Sequence, residues 1–322
     1  MKQKPRPGLT PTAPPLMPAE QSGLSGILLL DKPAGLSSNA ALQQVRRLLG
    51  RPKAGHTGSL DPLATGMLPI CIGEATKVAG SLLAGDKGYT ATISLGARTD
   101  TGDSTGTVVE QCVVPELDEA RLTAALAALR GPQQQVPPMY SALKRDGQPL
   151  YKLARRGITV DRPPRDIVIY ALELLEFGSA TLRIRVECSK GTYIRVLAEE
   201  LGRSLGSCAH LTALRRDFSE PFRGEPMYTF EALQALPGQP PLLEADRALP
   251  HLPAVRLSVA QARALSFGQT TLVAGVADGQ VRLYDHNGRF MGLGAGSASG
   301  ELRPQRLFAD AAPVELTGPG CN

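Results

Sequence analysis

The sequence predicts an α+β protein with a mixed, largely antiparallel central sheet and a small C-terminal β-barrel. Strand patterns come in groups instead of alternating strictly with helices, which favours an α+β domain over a doubly wound one. Near the end of the chain, glycine-bearing turns separate three short strand patterns at 281–285, 289–294 and 302–308. That spacing is typical of a barrel of about 60 residues.

Apolar spacing predicts the elements of the larger domain in chain order. A run of four apolar residues at 27–30 indicates a short buried strand. The next stretch has a helical period, with Leu42, Val45 and Leu49 on one face. Further helices are predicted at 75–83 and 118–130, and further strands at 89–95, 167–177 and 181–188.

Composition and charge restrict the class of protein. The net charge of +5 permits a polyanionic partner without proving one. The five cysteines are odd in number and form no CxxC pair, which favours a reduced cytosolic compartment and no structural zinc. No apolar run approaches the roughly 20 residues that span a bilayer, and the proline-rich N-terminus lacks the apolar core of a secretion signal. We therefore expect a cytoplasmic protein with no membrane partner.

One stretch, GHTGSLDPLATG at 55–66, is rich in turn-formers and poor in bulky side chains. Such a stretch is typical of a surface loop that a ligand approaches closely. Its one carboxylate, Asp61, fits a turn residue as well as a nucleophile. Arg195, near the start of a predicted helix, could pair with Asp61 and keep it ionised. Tyr89 could supply an aromatic face and a hydroxyl, and His56 fits a structural histidine as well as a ligand contact.

A long segment at 139–165 carries seven cationic residues against two acidic ones. Tyr140 and Tyr151 are interleaved with them and could stack on bases. A solvated basic loop is the plain alternative, but loops of this length are usually functional or disordered. Five of these cations are candidate RNA-binding residues: Lys144, Arg145, Lys152, Arg155 and Arg156. Lys32, outside the segment, is a sixth candidate.

The sequence predicts no cofactor and no metal. Neither GxxxxGK[ST] nor GxGxxG occurs between a strand and a helix, so no nucleotide cofactor is expected. The run at 98–106 contains Asp100 and Asp103, but hard cations usually need more oxygen ligands than this spacing supplies. A turn is the better interpretation of that run.

These patterns together resemble the bacterial TruB family, the tRNA pseudouridine-55 synthases, in order and spacing from about residue 25 to 222. The segment after 250 is similar, less specifically, to the PUA-type RNA-binding domain of that family. The stretches that carry the resemblance are GILLLDKPAGLSS (26–38), GHTGSLDPLATGMLPICIGEATK (55–77), KGYTATISLGARTDTGDSTG (87–106), PPMYSALKRDGQPLYKLARRG (137–157) and CSKGTYIRVLAEELG (188–202).

The resemblance implies a pseudouridine synthase fold and a role for each matching residue. The family's motif aspartate, here Asp61, is catalytic, and the arginine of GTYIR, here Arg195, pairs with it. The tyrosine of KxY, here Tyr89, stacks on the target uracil and takes part in proton transfer.

Three further residues match positions of the substrate pocket. Tyr193 and Leu214 match positions that line the base pocket, and His56 matches the residue that fills the space left by flipped bases. The implied substrate is tRNA, bound at its T stem-loop and, through the C-terminal domain, at its acceptor arm. A monomer suffices for this.

One carboxylate can suffice for this isomerisation, which has no net redox change. Asp61 could attack C1′, add to the base or remove a sugar proton, and the sequence does not choose among these routes. The target base must leave its stack, so base flipping is expected.

Two other functions stay open at this point. An RNA-binding or tRNA-folding module would not need Asp61. A nucleoside or glycoside hydrolase would normally need a second carboxylate within about 5 to 10 Å.

We expect four segments along the chain, one of which carries an insertion. They are a disordered proline-rich leader (1–24), a catalytic domain (25–250) with a basic RNA-clamp insertion (about 135–165), a PUA-like RNA-binding domain (251–312) and a tail (313–322).

Overall fold

The computed structural model describes residues 23–309 of the chain. The predicted tail, residues 1–22 of the predicted leader and Cys321 lie outside the described residues.

The larger part of the described chain contains twelve strands and six α-helices. Its strands are β1 (Gly26–Lys32), β2 (Ala54–His56), β3 (Thr65–Ile72), β4 (Lys87–Leu95), β5 (Ala97–Thr99), β6 (Val108–Gln111), β7 (Gly131–Gln135), β8 (Lys144–Arg145), β9 (Gln148–Pro149), β10 (Arg165–Phe177), β11 (Thr181–Cys188) and β12 (Ala209–Ser219). Its helices are α1 (Ser38–Leu48), α2 (Ala79–Leu83), α3 (Glu119–Ala128), α4 (Leu150–Ala154), α5 (Ile194–Ser204) and α6 (Phe230–Ala235).

The C-terminal part contributes one more helix and five strands. These are β13 (Ala254–Arg256), α7 (Val259–Ser266), β14 (Thr271–Leu272), β15 (Gly279–Tyr284), β16 (Phe290–Gly296) and β17 (Glu301–Leu307).

Residues at each end of helix α1 explain where it begins and ends. The Ser37 hydroxyl accepts a hydrogen bond from the Ala40 amide at 3.1 Å, which satisfies one of the free donors of the first turn. Gly50 follows the helix with a φ of 76°, a left-handed conformation that ends helices. The helix predicted at 75–83 is instead a 3₁₀ turn, Gly73–Val78, followed by α2.

The central sheet has eight strands in the order β1-β3-β12-β4-β11-β10-β7, with β2 paired to β3. Every neighbouring pair in it is antiparallel except β3 and β12, which are parallel. The predicted α+β class with a mixed, largely antiparallel sheet is therefore confirmed.

One face of this sheet is packed against α1, α3 and α5. On β4 the residues Tyr89, Ala91 and Ile93 lie in that core, and Thr90 and Thr92 point to the opposite face. From the helices, Val45 and similar apolar side chains complete the core. The alternation seen in the sequence thus places Tyr89 on the helix-covered face, beside the N-terminus of α5.

The C-terminal part is a five-stranded sheet in the order β13-β15-β16-β17-β14. The small C-terminal β-barrel that the sequence predicts is confirmed as this five-stranded sheet. It has its own core around Val281 and Leu283, and Leu293 joins a second core with Ile27 and Met67 of the larger part. Because the two sheets share buried apolar side chains, the C-terminal sheet is held against the central one.

The cysteines contradict the expectation of reduced thiols throughout. Cys112 and Cys208 form a disulfide that joins the chain just after β6 to the start of β12. They are 96 residues apart in sequence, and Gly96 brings them together, since its amide donates to the Cys208 carbonyl at 2.8 Å and its carbonyl accepts from the Cys112 amide at 3.0 Å. Cys71 and Cys188 are free and buried, and burial raises the pKa of each thiol to about 12. Sequence spacing could not reveal a pair made by tertiary contacts.

Within residues 23–309, no helix is long and apolar enough to cross a membrane. The same residues contain no group of three or more His, Cys, Asp or Glu side chains placed to hold a metal ion.

Candidate active site

The loop that carries Asp61 joins β2 to β3 and is tied to the start of α1. The Ser38 hydroxyl accepts from the Leu60 amide at 2.7 Å and donates to the Leu60 carbonyl at 3.0 Å. The Asp61 carbonyl accepts from the Ala64 amide at 3.0 Å, which closes a turn. Since Ser38 is buried, these bonds fix the backbone immediately before Asp61.

Asp61 and Arg195 form an ion pair. The Arg195 Nε lies 2.9 Å from the Asp61 Oδ2, and Arg195 is 5% exposed. The other two guanidinium nitrogens donate to the carbonyls of Thr101 and Tyr140, each at 2.6 Å. All three nitrogens of the guanidinium are therefore engaged, and its plane is fixed before any ligand binds.

A cavity of about 590 Å³ lies beside this pair. Its walls come from the Asp61 loop, β4, β12, the residues that precede α5 and Ser141–Leu143 of the basic segment. Five of the predicted site residues line it: Asp61, Tyr89, Tyr193, Arg195 and Leu214. Asp61 is the only carboxylate among the described residues that line the cavity.

Burial and nearby charges shift the pKa values of the two central groups. Burial raises the pKa of the Asp61 carboxyl above its ordinary value of 3.8, and the charge of Arg195 opposes that shift. Burial also raises the pKa of the Tyr89 hydroxyl above 10.0. The charge of Arg195 therefore favours the carboxylate form of Asp61, and burial favours the neutral phenol form of Tyr89.

His56 and Lys32 lie beneath the loop and outside the cavity lining. His56 is half-buried on β2, and burial followed by the charge of Arg216 lowers its pKa, which favours a neutral ring. Lys32 is fully buried and donates to the carbonyls of Pro33 and Leu36, each at 2.8 Å. Burial lowers the Lys32 pKa to about 8. Its ammonium is thus not on the predicted RNA-binding surface.

The basic segment is partly regular, which its sequence did not predict. Strands β8 and β9 form a hairpin, and α4 follows directly. The other five predicted RNA-binding residues are all exposed: Lys144, Arg145, Lys152, Arg155 and Arg156. The segment borders the cavity through Ser141 and holds Arg195 through the Tyr140 carbonyl.

Sequence reasoning missed two buried cations that line the cavity, Lys87 and Arg216. Lys87 is 7% exposed and donates to the carbonyls of Leu83 and Gly85, and burial lowers its pKa to about 8. Its position in the KGY stretch was a usable signal. Arg216 is 1% exposed, and nothing in the LRRD sequence distinguishes it from its exposed neighbour Arg215.

Known proteins match this chain over both parts. The family described as TruB family pseudouridylate synthase (N terminal domain) matches residues 46–194, and Pseudouridine synthase II TruB, C-terminal, matches residues 253–308. The tRNA pseudouridine synthase B of Aromatoleum aromaticum is 50% identical over 295 residues, which cover 91% of this chain and 95% of that protein. The protein of the same name from Chromohalobacter salexigens is 49% identical over 294 residues, covering 89% and 95%.

A solved structure also matches in fold. The chain in "Crystal Structure of a Cbf5-Nop10-Gar1 Complex" matches with a TM-score of 0.66 at 24% identity, covering 91% of this chain and 88% of that one. This likeness confirms the predicted pseudouridine synthase fold, and the family match and the named relatives show an isomerase of the pseudouridine synthase class. The identities of about half over nine-tenths of the chain then show that it belongs to the TruB family.

Proposed function

We propose that this protein converts uridine 55 in the T loop of tRNA to pseudouridine, with Asp61 as the catalytic carboxylate. The observation that carries the proposal is the Asp61–Arg195 pair, 2.9 Å apart, beside a cavity lined by no other described carboxylate. The relatives named tRNA pseudouridine synthase B support the substrate, and the resemblance of the loop motif to that family supports the position.

The reaction needs one ionised carboxylate and no external reagent. The bond from N1 of uracil to C1′ breaks, the base turns, and C5 bonds to C1′. C5 then loses its proton, N1 gains one, and the atoms of substrate and product are the same. Attack of Asp61 on C1′, its addition to the base and its removal of a sugar proton all use the carboxylate form and return it unchanged.

The neighbouring groups support this chemistry in distinct ways. Arg195 favours the charged form of Asp61 and fixes its direction. Tyr89 lines the cavity and offers the base a flat face and a hydroxyl, and this hydroxyl or ordered water is the candidate acceptor for the C5 proton. Tyr193 and Leu214 form the walls against which the flipped uracil packs.

The basic segment supplies the RNA contacts. The five exposed cations predicted to bind RNA lie on the chain that borders the cavity, so the phosphates that flank the target nucleotide can reach them. These contacts offset the few kcal/mol that flipping a base costs. The C-terminal sheet extends the contact to the acceptor arm. The protein acts as a monomer in the cytoplasm, where the Cys112–Cys208 pair would meet reducing conditions.

Tritium release tests the proposal. A T stem-loop RNA labelled as [5-³H]uridine is incubated with the unaltered protein and with Asp61→Asn, and the product nucleosides are separated. We expect release and pseudouridine with the unaltered protein, and neither with Asp61→Asn. Release by Asp61→Asn at the unaltered rate would overturn the role of Asp61.

The same experiment separates the other two functions. Free uracil in the products would show a hydrolase. Tight RNA binding by the unaltered protein without tritium release would show an RNA-folding module.

A further inference from the structure

Arg216, on β12, holds the loop of Asp61 from below. Its Nε donates to the Met67 carbonyl at 2.7 Å, and its Nη2 donates to the Gly58 carbonyl at 3.3 Å. Gly58 precedes Asp61 in the chain and Met67 follows it. One guanidinium therefore fixes both ends of the loop, and both ends lose a hydrogen-bond donor if it is removed.

The backbone of Arg216 reaches the same loop. Arg216 pairs with Gly66 where β12 runs parallel to β3. A Cβ on Gly66 would lie 2.2 Å from the Arg216 carbonyl oxygen, so only glycine permits this approach. Because main chain and side chain of one residue both contact the loop, its position depends directly on Arg216.

Arg216 carries a buried charge with no acidic partner nearby. Within residues 23–309, no carboxylate lies within 4.0 Å of its guanidinium, and only 1% of the residue is exposed. Burying a charge without a counter-ion is costly, and a smaller polar group could bond to a carbonyl at lower cost. The charge lies close enough to Tyr89 to oppose the effect of burial on that hydroxyl. A cation kept at this cost between the loop and Tyr89 points to a use in the reaction.

We infer that Arg216 is a positioning residue, whose guanidinium holds the loop so that the Asp61 carboxylate keeps its place against Arg195 and Tyr89. The inference rests on the proposed role of Asp61. Arg216 acts through the Gly58 and Met67 carbonyls and leaves the ion pair itself to Arg195.

The test compares Arg216→Met and Arg216→Lys with a matched control, Arg215→Met. Arg215 immediately precedes Arg216 on β12, but its guanidinium is half-exposed and paired with Asp31 at 2.8 Å. Each variant is assayed for its single-turnover rate of tritium release at saturating enzyme and for its tRNA Kd by filter binding. Thermal unfolding verifies that each variant is folded.

We expect Arg216→Met to lower the single-turnover rate about 100-fold, because a misplacement of about 1 Å costs that much. Arg216→Lys keeps the charge but cannot bond both carbonyls in one plane, so we expect a loss of about 10-fold. The Kd of both variants should stay within about threefold of the unaltered protein, and so should the rate of Arg215→Met. A residue needed only for the fold would lower rate and binding together.

Added guanidinium ion gives a second readout. It should restore part of the rate of Arg216→Ala and leave Asp61→Asn inactive. A folded Arg216→Met with a rate within about threefold of the unaltered protein would overturn the inference. Failure of both Met and Lys variants to fold would overturn it too, since the residue would then serve the fold alone. An active Asp61→Asn would instead remove the proposed function.

Discussion

At the scale of single residues, Arg195 both orients a carboxylate and keeps it charged. Two carbonyls, from Thr101 and Tyr140, fix the plane of its guanidinium, so its Nε presents one direction to Asp61. A lysine ammonium is a point charge on a flexible stem, so it would pair with the carboxylate without fixing its orientation. The Asp61–Arg195 pair therefore fixes the orientation of the carboxylate as well as stabilising its charge.

The pH dependence of the reaction should report the environment of Asp61. In the proposed role of Asp61 the carboxylate must be ionised, and burial raises its pKa, so the rate should fall with decreasing pH at a value above the ordinary 3.8. Single-turnover rates between about pH 4 and pH 8 measure this limb. Arg195→Met should move the limb to higher pH, since the charge of Arg195 lowers the Asp61 pKa. An acid limb at or below 3.8 in the unaltered protein would contradict this account.

At the scale of elements, the parallel pair of β3 and β12 determines where the Asp61 loop ends. Gly66 has a φ of 94° and lies directly against the Arg216 backbone. Gly66→Ala should lower the free energy of unfolding by about 3 kcal/mol, because it combines a left-handed backbone with overpacking. Urea unfolding measures this difference.

Gly55→Ala is the matched control for that substitution. Gly55 lies in the same glycine-rich stretch, but a Cβ there would meet no atom within 4 Å, and its φ is not left-handed. Its unfolding free energy should stay within about 0.5 kcal/mol of the unaltered protein. Equal losses for both variants would show that loop composition, and not the contact with β12, decides stability.

Local signals account for the elements that could be predicted. Helix α3 was predictable because Asp118 caps it, accepting from the Arg121 amide at 2.7 Å, and because Leu122 and Leu126 share a buried face. The hairpin and short helix of the basic segment were not, because strands of two residues and a helix of one turn carry no period.

In the candidate site, too, some residues could be predicted from local sequence and others could not. Asp61, Tyr89 and Arg195 stand in motifs that could be recognised before the fold was known. Arg216 and the Cys112–Cys208 pair depend on contacts between distant strands, which spacing cannot reveal. The predicted roles of the motif residues remain proposals until Asp61→Asn is assayed.

At the scale of the whole molecule, the exposed cations of the basic segment should make RNA binding depend on salt. Each phosphate contact adds about 0.7 to 0.9 to the slope of log K against log salt, so Lys152→Ala with Arg155→Ala should reduce its magnitude by about 1.5. Filter binding over a range of salt concentrations measures the slope. Arg183→Gln removes an exposed cation on the outer face of the sheet and should leave the slope unchanged. If the double variant and Arg183→Gln changed the slope equally, the effect would come from the overall charge and not from the basic segment.

The pairing of β3 with β12 has a consequence for synthesis of the chain on the ribosome. The glycine-rich loop emerges early, but the strand that holds its two ends comes about 150 residues later, because Gly66 meets Arg216. A nascent chain that has not yet reached β12 carries Asp61 and Arg195 but lacks the Arg216 contacts that hold the two ends of the loop. Competence to modify RNA should therefore appear only when most of the larger part has left the exit tunnel, which keeps incomplete chains from acting on the tRNAs around them.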